Sequence, residues 1–162
     1  VLENVHGGSC RVYAVHEKNP IKKVDSTLMQ FERTCGIDAF SVYSMFAKNV
    51  HKSRESLVDT LSSLKDQGKK IISFGATSKS TTVFNYCGIG KDLIDYITDT
   101  TQDKIGKFSP GKHIPIIAEE EGFNDSVDSA FLGAWNYKDA ILSKYPNWRG
   151  DWITHVPEVS VI

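Results

Sequence analysis

The sequence predicts an α/β protein: an open, mainly parallel sheet with flanking helices, preceded by a strand and a long helical spacer. Three observations predict it. From residue 70 onward, short apolar runs alternate with segments of helical spacing, and parallel neighbours need such crossovers. The run KKIISF passes directly into a tight polar turn and then a helical pattern. Upstream, Tyr43, Val50, Leu57 and Leu64 recur every seven residues, with Phe46, Ala47 and Leu61 in the same stripe, so residues 38–67 read as one amphipathic helix.

Taken in order, VLENVHGGSCRVYAV is a turn leading into an alternating strand with Cys10, Val12 and Ala14 on one face. A lone strand does not fold by itself, and the chain has no initiator Met, so residues 1–23 are expected to belong with structure outside this chain. After the polar stretch EKNPIKKVDS, Asp25 or Ser26 is placed to cap a short helix through Leu28, Met29, Phe31 and Glu32 that stops at Gly36. Residues 24–68 form a helical spacer ending at Gly68, where a left-handed residue closes a helix. Residues 69–162 form the sheet domain, with KKIISF a strand, Val83, Phe84 and Cys87 on a helix, and DLIDYITD a strand ending at Asp99. KFSPGKHIPII is turn-rich, EEEGF a helical turn, SVDSAFLGAW a strand, NYKDAILSKY a helix and WITHVPEVSVI a pair of short strands. The architecture is Rossmann-like.

A chain of 162 residues can bury a substantial core, and its 40% apolar and 24% charged residues are ordinary. A formal charge of −1 provides no attraction for nucleic acid or an anionic membrane. With no apolar run long enough for a bilayer and no signal-peptide layout, the expected location is cytoplasmic. Cys10, Cys35 and Cys87 lack CxxC spacing, so they read as buried free thiols, and no metal site is expected.

In an open parallel sheet, ligands bind where strand carboxyl ends meet helix amino termini, because unpaired N–H groups and the helix dipole favour an anion there. The most polar loop of the sequence falls at that point. Gly75 permits a sharp turn, Ala76 allows close backbone approach, Thr77 and Thr81 offer hydroxyls and Lys79 adds a positive charge. A phosphate or diphosphate suits this loop, although it is neither GxGxxG nor GxxxxGK[ST], and an unliganded turn with hydroxyl caps and a solvated lysine uses the same residues. Asp99 lies 24 residues beyond Gly75, near the offset of about 20 at which an acidic residue meets a ribose hydroxyl. Lys104, Gly106, Lys107, Phe108, Pro110, Gly111 and His113 form a loop that could flank a phosphate and stack on a base, or be a surface turn. Trp135 is a core candidate and Asn136 a helix cap. His6, beside Gly7 and Gly8, is a weak catalytic candidate, since two glycines allow close approach but also simply make a turn.

These motifs, in this order, resemble the S-adenosylmethionine-dependent C-methyltransferases that act on deoxysugar nucleotides. His6-Gly7-Gly8-Ser9 with Arg11-Val12-Tyr13 is similar to that family's HGGS-L-R-x-Y, which implies that residues 1–23 are the terminal strand segment of the preceding methyl-donor domain, and FGATSKSTTVFNYCGI to its G-x-G-A-x-x-K-G-N-T-L-L-N-Y-x-G-I. ITDTTQDKIGKFSPGKHIPI resembles V-D-x-x-P-x-K-Q-G-x-x-x-P-G-T-H-I-P-I, AWNYKDAI resembles P-W-N-x-x-x-E-I, and VPEVSVI resembles P-x-P-x-x-x-V-I. Lys79, Asn85, Asp99, Lys104, Gly106, Pro110, Gly111, His113, Pro115, Trp135 and Asn136 fall on motif positions. Ser80 stands in place of Gly, Ile105 of Gln, Lys112 of Thr and Gly133-Ala134 of Leu-Pro, which leaves the sugar and base open.

The resemblance implies an enzyme of three parts: a zinc-binding amino-terminal lobe, a central domain that binds S-adenosylmethionine, and a carboxy-terminal Rossmann-like domain that holds a nucleoside-diphosphate sugar. This chain corresponds to the last part and, on its own, is expected to be inactive, binding neither the methyl donor nor zinc. Two other readings use the same residues: a stand-alone Rossmann module for a nicotinamide cofactor, and an assembly domain whose long helix packs on another subunit.

Overall fold

The computed structural model describes residues 2–3, 8–19 and 26–162. Two compact units divide at Asn49 and Val50, and α2 belongs in part to each. In the first unit, β1 (Leu2–Glu3) pairs antiparallel with β2 (Ser9–Cys10), Leu2 opposite Cys10. The expected strand through Val12 and Ala14 stops at Cys10. Val12 and Tyr13, expected on that strand, stand exposed. Helix α1 (Ser26–Thr34) forms as expected, ending before Gly36 at φ 66°. Its proposed caps, Asp25 and the side chain of Ser26, lie outside the described residues, as does His6.

Helix α2 (Phe40–Asp66) covers the expected long helix, and Gly68 follows it at φ 76°. Only the later part of its stripe meets a core. Leu57 and Leu61 are fully buried, whereas Tyr43 and Phe46 are exposed.

The second unit holds a six-stranded sheet in the order β5-β4-β3-β6-β7-β8. Strand β3 (Ile71–Phe74) is central and buried on both faces, as expected of an apolar run in a parallel sheet. Helix α3 (Ser78–Cys87) leads to β4 (Ile97–Asp99), which pairs parallel with β3 on one side. Strand β5 (Ile116–Ala118) extends that side, followed by the single-turn α4 (Glu119–Gly122). Strand β6 (Ser129–Leu132) lies on the other side of β3. A 3-10 turn at Trp135–Tyr137 and α5 (Lys138–Lys144) lead to β7 (Asp151–Thr154), parallel to β6, and β8 (Ser160–Val161) closes the edge antiparallel.

Side-chain alternation along β3 builds two cores. Ile71 joins Leu57 and Leu61 of α2, Phe84 and Cys87 of α3, and Phe131 and Ile153. Ile72 and Phe74 join Leu132 and Trp152, with Ile141 and Leu142 of α5 packed against them. Of the cysteines expected to be buried, only Cys87 is; Cys10 and Cys35 are exposed because nothing among the described residues packs over the ends of β2 and α1.

The strand expected over DLIDYITD shortens to its last three residues. Its first part turns back on Gly90, whose carbonyl accepts from both Leu93 and Ile94 N–H. Asp95 instead accepts from Ile71 N–H at 2.9 Å and Lys65 Nζ at 2.6 Å. Conversely, IPII, read as part of a turn-rich stretch, supplies β5. The link between the parallel β4 and β5 is a loop without a helix, folded on itself by Gly106 N–H to the Ile116 carbonyl and Ile116 N–H to the Lys107 carbonyl.

Candidate functional site

From β3 the chain runs through α3 to β4 and then β5, while β6 occupies the opposite flank of β3. The order reverses between β3 and β6, and a crevice opens at the carboxyl ends of strands at such a point. Two turns meet there, Gly75–Thr77 after β3 and Gly133–Asn136 after β6.

Gly75 has φ 94°, a left-handed conformation that a residue with a Cβ adopts only with strain. The following peptide is gripped at both ends. Ala76 N–H donates to Asp99 Oδ2 at 2.8 Å, and the Ala76 carbonyl accepts from Lys104 Nζ at 2.9 Å. Lys104 also pairs with Asp99 at 3.1 Å, while the other carboxylate oxygen takes Thr101 N–H at 2.8 Å. Burial pushes the Asp99 carboxyl up, but hydrogen bonds from Thr101, Lys104 and Ala76 outweigh it and hold the group below its ordinary value. Asp99 ends β4 as expected, and its two oxygens are engaged in shaping the turn rather than left facing solvent.

Thr77 caps α3. Its Oγ1 accepts from Ser80 N–H at 3.0 Å, and Ser80 Oγ accepts from Thr77 N–H at 3.1 Å, a reciprocal capping box. Thr77 Oγ1 also donates to the Gly133 carbonyl at 2.7 Å, tying the two turns together. Ser80, one of the departures from the resembled motif, thus completes the cap. Gly133, another departure, also has a physical reason, since a Cβ there would lie 2.4 Å from the Gly75 carbonyl oxygen. Replacing Thr77 with alanine removes both the cap and the cross-link, and denaturant unfolding is expected to show a loss of about 2 kcal/mol.

Capping leaves the amides of Ser78 and Lys79, the first two of α3, without an acceptor among the described residues. Lys79 carries an ammonium group on that same turn. It donates to Asn136 Oδ1 at 2.8 Å and sits 5.4 Å from the Trp135 ring centroid, and among the described residues no carboxylate pairs with it. The first turn of α3 has no acidic residue. A cation at the positive end of a helix is unfavourable unless an anion joins it, so charge, free amides and dipole all call for a negative ligand. Asn136, expected as a cap, makes no capping bond because the 3-10 turn intervenes before α5; it steers Lys79 instead. Trp135, expected in the core, is half-buried beside that lysine.

The remaining residues of the long loop are placed differently. Asn85 Nδ2 bridges the Thr81 and Pro110 carbonyls at 2.8 and 3.0 Å, which fastens the loop to α3. Thr81 Oγ1 turns back to the Thr77 carbonyl. Gly111 has φ 81°, and a Cβ on it would come within 1.9 Å of Asn85 Oδ1. Gly111→Ala is therefore expected to cost about 1–2 kcal/mol, read by thermal unfolding, as strain adds to a displaced Asn85. Lys107 and His113 are exposed on this loop, His113 at φ 52°.

Beyond Asp99 an open cleft of about 370 Å³ is lined by Thr100, Gln102, Ile105, Ala118, Phe123 and Tyr145, among others. On its wall Glu119 accepts from Lys144 Nζ at 2.5 Å and from the Tyr145 hydroxyl. The hydrogen bond to Glu119 pushes Lys144 up, and burial, with Glu119 adding, pushes up Tyr145. Sequence reasoning missed this group because Glu119 and Tyr145 lie 26 residues apart with no periodicity linking them.

A model of the C-methyltransferase C-terminal domain family matches residues 4–157 of the chain. The chain belongs to that family. It is also similar to the "C-methyltransferase NovU" of Streptomyces niveus, at 31% identity over 98% of the chain. This C-methyltransferase C-terminal domain spans 39% of that relative's length. The family is enzymatic and its methyl-transfer chemistry implies S-adenosylmethionine, but the residues present do not fit that donor. The acidic residue that would take its ribose, Asp99, is committed to Ala76, Thr101 and Lys104. Among the described residues no cluster of His, Cys, Asp and Glu could hold a metal, and no helix is long and apolar enough to cross a membrane.

Proposed function

We propose that this domain holds the nucleoside diphosphate of a nucleotide-linked keto-deoxysugar while the rest of a longer methyltransferase binds S-adenosylmethionine and transfers the methyl group. One observation carries the reading: an ammonium group without a carboxylate partner among the described residues and two free amides belong to the first turn of α3, a helix amino terminus where the strand order reverses. Membership of a C-methyltransferase C-terminal domain family supports reading that anion as a substrate phosphate. The diphosphate would lie across Ser78 and Lys79, with the nucleoside running past the end of β4 toward the cleft at Gln102 and Phe123.

Asp99 acts in this reading through the turn it clamps. A 2′-deoxynucleoside has no 2′-hydroxyl and makes no demand on that carboxylate, whereas a nicotinamide dinucleotide does. Methylation beside a ketone needs a base for the α proton, stabilisation of the enolate and an aligned methyl group, all supplied by the other parts. Holding the phosphates far from the reacting carbon contributes affinity and orientation. Calorimetric titration of the chain with thymidine diphosphate tests this, with saturable binding expected and its absence at millimolar ligand counting against it.

A further inference from the structure

The first two turns of α2 are not built for a surface. Residues 40–47, FSVYSMFA, carry no charge, and at about 100° per residue Phe40, Val42, Tyr43, Met45, Phe46 and Ala47 spread over an arc of about 220°, with Ser41 and Ser44 on the remaining side. An uncharged helix with so wide an apolar arc belongs largely inside a core. Yet Phe40 is 84% exposed and Phe46 66%, and no described residue before Leu57 is buried. By contrast the second unit has two packed cores of its own.

We infer that the amino-terminal two turns of α2 insert into the domain that precedes this one in the full methyltransferase, as one of that domain's own core helices. Two observations choose this occupant over a second copy of the chain. The family is that of a C-terminal domain, and the NovU relative continues for most of its length outside the matched part, so a large folded body precedes the equivalent helix there. A twofold helix-to-helix contact would cover one face of α2, narrower than the arc of about 220° that the apolar side chains occupy here. The inference rests on family membership and is independent of which ligand the turn after β3 holds.

Amide hydrogen exchange tests it in two forms of the protein: the 162-residue chain and the longer polypeptide that includes the preceding part. In the chain, amides of residues 42–49 are expected to exchange at least roughly 100-fold faster than those of β3, and in the longer polypeptide to gain protection of that order. Phe40→Ser with Phe46→Ser should abolish the gain in the longer form and leave the thermal midpoint of the chain unchanged. Equal, fast exchange of this segment in both forms would overturn the inference. So would protection in the chain that rises with concentration alongside a dimer in sedimentation, or a lowered midpoint of the chain on substituting the two phenylalanines.

Discussion

Lys79→Ala is expected to weaken nucleoside diphosphate binding by about 10- to 100-fold, the loss of one charge-assisted contact of about 1.5–3 kcal/mol. Its effect on folding should be small. Lys79 pairs with Asn136 at a half-buried position and belongs to neither core, so the thermal midpoint should move by roughly 2 °C or less. Lys79→Arg keeps the charge and should recover part of the affinity. Because the cation is unpaired with any carboxylate among the described residues, binding to the unaltered chain should also weaken as salt rises, and Lys79→Ala should flatten that dependence. Calorimetry at two ionic strengths reads all three outcomes. Equal affinity in the Lys79→Ala variant removes the proposed phosphate contact.

Asp99→Ala should act on folding first. The nearly buried carboxylate satisfies the Ala76 and Thr101 amides and faces the Lys104 ammonium, so its removal strands two amides, takes away the lysine's ion pair and should cost about 3 kcal/mol in denaturant unfolding. The same group sets an acid limit. Its folded pKa lies below the unfolded carboxylate value of about 3.9, so its stabilisation is fully present above that value and is lost as pH falls through the folded pKa. A thermal midpoint followed from pH 6 downward should therefore drop below about pH 4, and Asp99→Asn should remove part of that drop. If Asp99 instead faced only a ligand, the substitution would reduce affinity and leave the unfolding curve in place.

The central strand, the turn after it, helix α3 and the long helix could be read from the sequence because each is written in local chemistry. Ile71–Phe74 is apolar throughout because both faces are covered, and Thr77 and Ser80 are polar where a helix begins. Strand β5 could not be read, since Ile116–Ala118 follows Pro115 in a segment whose pairing with β4 depends on a loop folding back through Gly106. The register of β4 was obscured for the opposite reason. Leu93 and Ile94 look strand-like but are drawn into a turn by the Gly90 carbonyl.

At the site, Lys79 and Asn136 were both singled out from sequence, yet only the fold reveals that they touch, 57 residues apart across the switch in strand order. The offset and motif position of Asp99 suggest a ligand contact or a solvated strand end; the structure shows its bonds to Ala76 and Thr101. The Glu119, Lys144 and Tyr145 group carried no motif. It becomes visible only when α5 is laid against the end of β5.

The most direct measurement is a backbone amide NMR titration of the chain with thymidine diphosphate. The account predicts that the Ser78 and Lys79 amides and the Asn136 side-chain amide shift most, with smaller changes along residues 100–105 where the nucleoside passes the end of β4. Shifts concentrated at the amino ends of the strands, around Asp128 and Gly150, or no shift at millimolar nucleotide, would contradict it.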